Sequence, residues 1–287
     1  MDQPAPMLSL QAVTKRFESK RGTVDAVVDV SFSVGQGEFV SILGPSGCGK
    51  STLLRLMAGV APVSAGEIHV AGRRVSGPVR GLGMVFQTPV LLEWRDVLGN
   101  VMLPLEIMRN NAPEARRRAH ELIEMVGLAD FKRRLPWELS GGMQQRVAIC
   151  RALVINPPVL LMDEPFGALD ALTRDEMALE LLRIWGETRK TIVFVTHSIE
   201  ESVLLSDRVV VMTPRPGQVE RIVDIDLPRP RTFETRYAER FTEYSHELRA
   251  AIFKRRASVA DGERPGGEGP RGEGQTGAGY EGSSPLA

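Results

Sequence analysis

Several things are scarce in this chain of 287 residues, and each scarcity excludes something. Cysteine is nearly absent: only Cys48 and Cys150 occur, so no disulfide framework is expected and a reducing cytosol suits the composition. There is no excess of either charge. With 36 Lys and Arg against 36 Asp and Glu, no global electrostatic attraction to nucleic acid exists, and no nucleic-acid partner is expected. No window approaches the roughly 18 uninterrupted apolar residues of a membrane span. Residues 1–12 carry neither a basic leader nor an apolar core, so no signal peptide is expected. What remains is 43% apolar residues, enough for a proper core, over a length that suits one large domain or two small ones.

The most informative stretch is Gly44-Pro45-Ser46-Gly47-Cys48-Gly49-Lys50-Ser51-Thr52, which fits G-x-x-x-x-G-K-[ST]. It follows the apolar run Phe39–Leu43 and precedes another, Leu53 to Ala58, so a loop between a buried strand and a helix is expected. Glycines let such a loop turn its N–H groups inward on phosphate oxygens, and the helix N-terminus adds partial positive charge. Lys50 then reaches the terminal phosphates, and the Ser51 hydroxyl can ligate Mg²⁺.

Around this loop, Leu8–Val13 and Val27–Val34 alternate like strands of an antiparallel layer, and Phe17 sits in the polar stretch between them. Glu67–Val70 and Leu82–Phe86 read as short strands, the second ending at Gln87. From Thr88 to Pro158 helical signals take over. One helix is signed by Pro113 and Gly127 at its ends, and another opens at Ser140-Gly141 and stops at Asn156-Pro157-Pro158. The apolar strands Val159–Met162, Thr191–Thr196 and Val209–Met212 then return, the first two separated by a helical pattern over 172–189. That alternation predicts βαβ units and a parallel sheet. Phe233, Tyr237, Phe241, Tyr244, Leu248 and Ile252 recur at helical spacing, which predicts an amphipathic helix over 232–253. Residues 255–287 are rich in Gly, Glu, Arg and Pro and are expected to be disordered.

A second constellation is Val159-Leu160-Leu161-Met162-Asp163-Glu164, an apolar strand ending in two carboxylates. At the carboxyl edge of an α/β sheet, Asp163 is placed to hold Mg²⁺ and Glu164 to polarise an attacking water. Taken alone, the acidic pair equally suits the cap of a following helix.

Leu139-Ser140-Gly141-Gly142-Met143-Gln144-Gln145-Arg146 resembles the LSGGQ signature of ABC-transporter ATPases, with Met143 in place of the commoner Gln. Gln87, Asp170 in Gly167-Ala168-Leu169-Asp170, and His197 match the family in order and spacing. The resemblance covers about residues 8–227 and implies a P-loop NTPase of α/β class: a mixed sheet, an N-terminal antiparallel β layer, and a helical subdomain inserted at about 88–157. A C-terminal helix (228–254) and a tail (255–287) would follow. It further implies that Phe17 stacks on adenine, where the family usually has Tyr; a packed surface aromatic is the alternative. Gln87 would touch Mg²⁺ and the attacking water. Metal ligation would fall to Ser51, Gln87 and Asp163, and catalysis to Lys50, Glu164, His197 and Gln87. His197, followed here by Ser198 rather than the usual Asp, would hydrogen-bond the γ-phosphate. Ser140, Gly141 and Gly142 would close over ATP from a second subunit in a head-to-tail dimer. Residues 44–52 and Asp170 complete the implied nucleotide site. Cys48 would lie against the nucleotide, so a thiol reagent there is expected to block binding.

The segment Leu91-Leu92-Glu93-Trp94-Arg95-Asp96-Val97-Leu98-Gly99-Asn100-Val101 resembles that of the nitrate/sulfonate/taurine-type importer ATPases, where Glu93 departs from the usual Pro. Met212–Gly217 and Asp226–Arg231 resemble the same group. The resemblance implies a subunit at the cytoplasmic face of the membrane. Permease subunits would dock near Val90–Leu105, and a solute-binding protein would act indirectly. The alternative reading of Leu91, Leu92 and Trp94 is ordinary core of the helical insertion. An exporter or another non-importer complex is the alternative assignment.

Overall fold

The computed structural model describes residues 5–19, 22–167 and 169–262, and side-chain packing as far as Ile252. Its centre is a six-stranded sheet built from β3 (Phe39–Leu43), β6 (Leu82–Val85), β7 (Val159–Asp163), β8 (Thr191–Thr196), β9 (Arg208–Met212) and β10 (Val219–Asp224). The spatial order is β10-β9-β3-β8-β7-β6. All neighbours run parallel except β10, which returns antiparallel along β9. β3, β7 and β8 are buried at every position because both faces of the sheet are covered. Val193 and Val195 of β8 face one core, while Ile192 and Phe194 face the other.

The first of these cores lies under a second sheet, of order β2-β1-β4-β5, formed by β1 (Leu8–Ser19), β2 (Gly22–Val34), β4 (Ala65–Val70) and β5 (Arg73–Arg74). β1 and β2 are longer than their hydrophobic alternation predicts. They pair as a bulged antiparallel hairpin, so Phe17 lies on β1 opposite Val24 rather than in a connecting stretch. Between the sheets runs α1 (Lys50–Met57), which buries Leu53, Leu54, Leu56 and Met57.

Between β6 and β7 the described chain is helical: α2 (Val97–Ile107), α3 (Pro113–Met125) and α4 (Gly141–Leu153), with two short 3-10 turns. α3 starts at its proline, and α4 is capped by Ser140, whose hydroxyl accepts from Met143 N at 3.3 Å. α5 (Ala171–Thr188) joins β7 to β8, and α6 (Ile199–Leu205) joins β8 to β9.

The C-terminal region departs from expectation. The apolar spacing over 232–253 predicts one helix. The chain instead makes a 3-10 turn, Phe233–Tyr237, and the extended Ala238 separates it from α7 (Glu239–Gly262). Tyr237 is therefore exposed, while Phe241, Tyr244 and Leu248 bury against the main core. α7 also continues through residues 255–262, which were expected to be disordered, whereas the rest of that predicted tail lies outside the described residues.

The segment before α7 is fixed by an internal cation. Arg231 is 4% exposed and donates to the carbonyls of Val203, Leu204 and Ser206 at the end of α6, and to those of Ile225 and Leu227. It thereby satisfies carbonyls that the helix end leaves without partners. Burial lowers its pKa to about 10.

Candidate nucleotide site

The loop between β3 and α1 lies at the carboxyl edge of the central sheet, and its backbone explains its glycines. Gly47 and Gly49 have φ of 77° and 102°, in the left-handed region. A Cβ on Gly49 would also meet Val27 Cγ1 at 2.6 Å and Ala26 O at 2.7 Å, so a side chain is excluded there twice over. Lys50 begins α1 and is 4% exposed. Its Nζ donates to Gly44 O at 2.8 Å and Pro45 O at 3.1 Å, and lies 3.6 Å from Glu164 Oε1.

β7 brings its two carboxylates to the same edge. Ser51 Oγ donates to Asp163 Oδ1 at 2.8 Å. Burial raises the pKa of Asp163, the Ser51 hydrogen bond lowers it, and the neighbouring Glu164 raises it further. Glu164 has φ of 41°, an uncommon conformation for a side-chain-bearing residue, costing about 1–3 kcal/mol. It is held there by Glu164 N donating to Val195 O at 2.9 Å and by its own carbonyl accepting from Gly167 N at 3.0 Å. His197 Nδ1 lies 2.9 Å from Glu164 Oε2. A carboxylate can only accept, so Nδ1 carries a proton in this contact, as it does in the Nδ1–H tautomer and in the imidazolium.

These groups border a cleft of about 470 Å³ lined by Phe17, Val24, Ala26, Ser46, Gly47, Gly49, Lys50, Ser51, Thr52, Gln87, Glu164 and Arg215. Most residues singled out in the sequence thus converge. Phe17, with its ring half exposed and Lys15 Nζ 5.1 Å from its centroid, forms one wall; Gln87 and Glu164 line the cleft as well. Asp163 and His197 do not line the cleft but are joined to it through Ser51 and Glu164.

Other candidates fall outside. Gly44, Pro45 and Cys48 do not line the cleft. Cys48 is fully buried within the apolar core, its thiol near Gly44, and burial raises its pKa. The expected thiol-reagent sensitivity is corrected accordingly: a protonated, inaccessible sulfur reacts slowly. Ser140 and Gly141 are exposed, and none of residues 140–142 reaches this cleft. Asp170 caps α5 by accepting from Thr173 N at 3.0 Å, a contact that lowers its pKa. Gly142 packs beside the same turn; a Cβ there would lie 2.8 Å from Thr173 Cγ2.

Two supporting residues carried no signal of a site role. Glu201, 7% exposed, accepts from Thr196 Oγ1 at 2.5 Å, and Thr196 Oγ1 in turn accepts from Ser198 N at 3.0 Å, which braces the turn bearing His197. Arg215, from the β9–β10 loop, reaches the cleft although it is remote in sequence from every other lining residue. Glu201 lies four residues after His197 without a motif to mark it, and no local spacing could find Arg215.

The model of the family described as ABC transporter matches residues 27–167. An uncharacterized ABC transporter ATP-binding protein of Methanocaldococcus jannaschii is 46% identical over 247 residues, 86% of this chain and 91% of the relative. The chain belongs to the ABC transporter ATP-binding family. The taurine import ATP-binding protein TauB of Rhizobium johnstonii is 46% identical over 253 residues, covering 86% of this ABC chain and 96% of that protein. The aliphatic sulfonates import ATP-binding protein SsuB of Bacillus cereus is 42% identical over 225 residues, 78% and 88% of the two chains. The ATP-binding cassette MJ0796, solved as a dimer in a post-hydrolysis state bound to ADP and Pi, superposes with a TM-score of 0.69 at 35% identity, covering 77% of this chain and all of that one. The mixed-sheet P-loop fold and the ABC-type ATPase assignment implied by the signature therefore hold for this chain.

Proposed function

We propose that this ABC cassette hydrolyses ATP in the Phe17–Glu164 cleft of a head-to-tail dimer, and that hydrolysis drives uptake of a small anion of the sulfonate or taurine kind through separate permease subunits. One observation carries the chemical reading: Glu164 stands between Lys50 Nζ at 3.6 Å and His197 Nδ1 at 2.9 Å, at the mouth of a phosphate-binding loop. Lys50 and the loop N–H groups hold the phosphates, Phe17 stacks on the base, and Glu164 accepts the proton of the attacking water. His197 meets the γ-phosphate as the doubly protonated ring, donating Nδ1–H to Glu164 and Nε2–H to the phosphate, and Gln87 contributes from the lining of the same cleft. Hydrolysis reopens the closed dimer, and that two-state motion is what a permease would feel.

The donors suit Mg²⁺. Among the described residues no cluster of three or more His, Cys, Asp or Glu could enclose a metal. Mg²⁺ needs none, since it binds through one or two protein oxygens together with phosphate and water. Ser51 and Asp163, already 2.8 Å apart, would hold it with Gln87, and it would supply charge neutralisation at the β and γ phosphates. The exposure of Ser140 and Gly141, away from their own cleft, favours a signature that acts on a second subunit's nucleotide.

No helix among the described residues is long and apolar enough to cross a membrane, so a spanning partner is part of the proposal. Its docking surface is an apolar cleft of about 410 Å³ lined by residues that include Phe86, Val90, Leu92, Leu103, Ile107 and Met108, together with Trp94, two residues after Leu92 in the chain and 76% exposed. Import, rather than export, is favoured by the import proteins among the relatives. The subunit would then sit peripherally on the cytoplasmic face, with a solute-binding protein acting through the permease.

The test is Glu164→Gln in the assembled transporter. ATP binding should persist while hydrolysis falls by about 10²–10⁴-fold, the usual worth of a positioned general base. Hydrolysis at the wild-type rate would remove Glu164 from that role.

A further inference from the structure

The loop between β9 and β10 is built to carry one side chain to the phosphate loop. Buried Thr213 ties the loop shut: its hydroxyl meets Pro214 O at 3.1 Å and Pro216 O at 3.2 Å, and accepts from Gln218 N at 3.0 Å. The loop is then fastened to β2, the strand that lends Val24 and Ala26 to the cleft. Gly217 N donates to Ala26 O at 3.0 Å and Val28 N donates to Gly217 O at 2.9 Å. It also presses on the phosphate loop itself. A Cβ on Gly217 would lie 2.0 Å from Cys48 O, so only glycine permits this approach.

Arg215 stands at the tip of that fixed loop. It is exposed, it lines the cleft, and its Nε donates to Gly47 O over a long 3.4 Å. That contact uses one of five guanidinium N–H groups. Arg215 has no carboxylate partner among the described ion pairs, whereas Lys50, the other cation lining the cleft, already faces Glu164 at 3.6 Å. A planar, uncompensated guanidinium beside a phosphate loop matches a polyanion better than it matches its carbonyl contact.

We infer that Arg215 is a nucleotide-binding residue that grips the phosphate chain beside Gly47, in addition to Lys50. This rests on the cleft being the nucleotide site. Arg215 contacts the loop at Gly47 O, whereas Lys50 and His197 are the groups in contact with Glu164, so the grip assigned to Arg215 is on the bound phosphates and not on the attacking water. It therefore sets affinity and leaves the chemical step alone.

The experiment compares Arg215→Gln, Arg215→Lys and Lys50→Ala with wild type, by titration with a fluorescent ATP analogue, by ADP competition, and by ATPase kinetics of the assembled transporter. Arg215→Gln should weaken ATP and ADP about tenfold, the scale of one charge-assisted hydrogen bond. KM should rise with kcat unchanged. Arg215→Lys should recover part of the affinity, since the charge survives without the fork. Added salt should weaken binding less in Arg215→Gln than in wild type. Because Arg215 is exposed, all Arg215 variants should melt with wild type, which separates binding from folding. An ATP affinity within twofold of wild type in Arg215→Gln overturns the inference, as does a fall in kcat at constant KM. If Lys50→Ala also leaves affinity intact, the cleft itself is misassigned. If Lys50→Ala abolishes binding and Arg215→Gln does not, only the role of Arg215 fails.

Discussion

Glu201 shows how a single buried group can be read through its titration. Burial raises its pKa, and the Thr196 hydrogen bond and Arg174, 3.8 Å away, only partly offset that. A folded-state pKa above the unfolded one means that the native protein holds the proton more tightly. Wild type therefore loses stability as pH rises from the ordinary carboxyl value of 4.5 through the folded value. Glu201→Gln keeps an acceptor for Thr196 but cannot ionise. Its melting temperature relative to wild type should accordingly climb as pH rises through that window and then level off. A difference that stays constant with pH would show that Glu201 does not titrate in this way. Position within a motif did not reveal such details. Cys48 occupies the phosphate loop, yet its side chain is buried in the apolar core beneath the loop's backbone at Gly44.

Among the elements, the stretch from Val90 to α2 separates core from surface in a way that hydropathy could not. Val97, Val101 and Leu105 are core, and Leu91 packs against it, whereas Val90 and Trp94 are exposed. The reading of Trp94 as core is thus corrected. The device behind it is Asn100, fully buried, whose amide donates to the carbonyls of Leu92, Arg95 and Asp96 and accepts from Leu92 N at 2.8 Å. Arg151 of α4 holds the carbonyls of Pro89 and Val90, each at 2.7 Å, from the other end. Together they present Trp94 outward. Asn100→Leu leaves those backbone groups unpaired and should destabilise the fold by about 2–3 kcal/mol in denaturant titration. Trp94→Ala should change stability by less than about 0.5 kcal/mol while uncoupling ATP hydrolysis from transport. Marked unfolding of Trp94→Ala would return the residue to the core. Some elements escaped the sequence for plain reasons. α2 contains Gly99 and Pro104, α6 spans seven residues, and β10 is a half-polar edge strand, so none shows a clean period.

For the whole molecule, the issue is which groups can meet within one chain. The proposed nucleotide cleft gathers residues from β1, β2, the phosphate loop, the segments just after β6 and β7, and the β9–β10 loop, but not from the N-terminus of α4. Ser140→Arg should therefore leave ATP binding by the isolated chain within about twofold of wild type, while ATPase activity of the assembled transporter is lost. Loss of ATP binding by the isolated chain would contradict a signature that works across the dimer.

The sequence by itself determined the order of two motifs along the chain, the glycine loop with Lys50 and Ser51 and the carboxylate pair ending an apolar strand; the signature before that strand was legible through its resemblance to the ABC family. These are legible because each depends on neighbours a few residues away, through backbone geometry and helix capping. β3 and β8 were equally legible, since a strand buried on both faces is a continuous apolar run. Only the tertiary structure decided that Phe17 and Arg215, separated by most of the chain, share one cleft, that Cys48 turns inward, and that Trp94 turns out. It also decided that Ala238 breaks the C-terminal helix and that Arg231 closes the end of α6. Each of these depends on contacts between distant segments, where burial and unpaired backbone groups set the outcome and no local period records it.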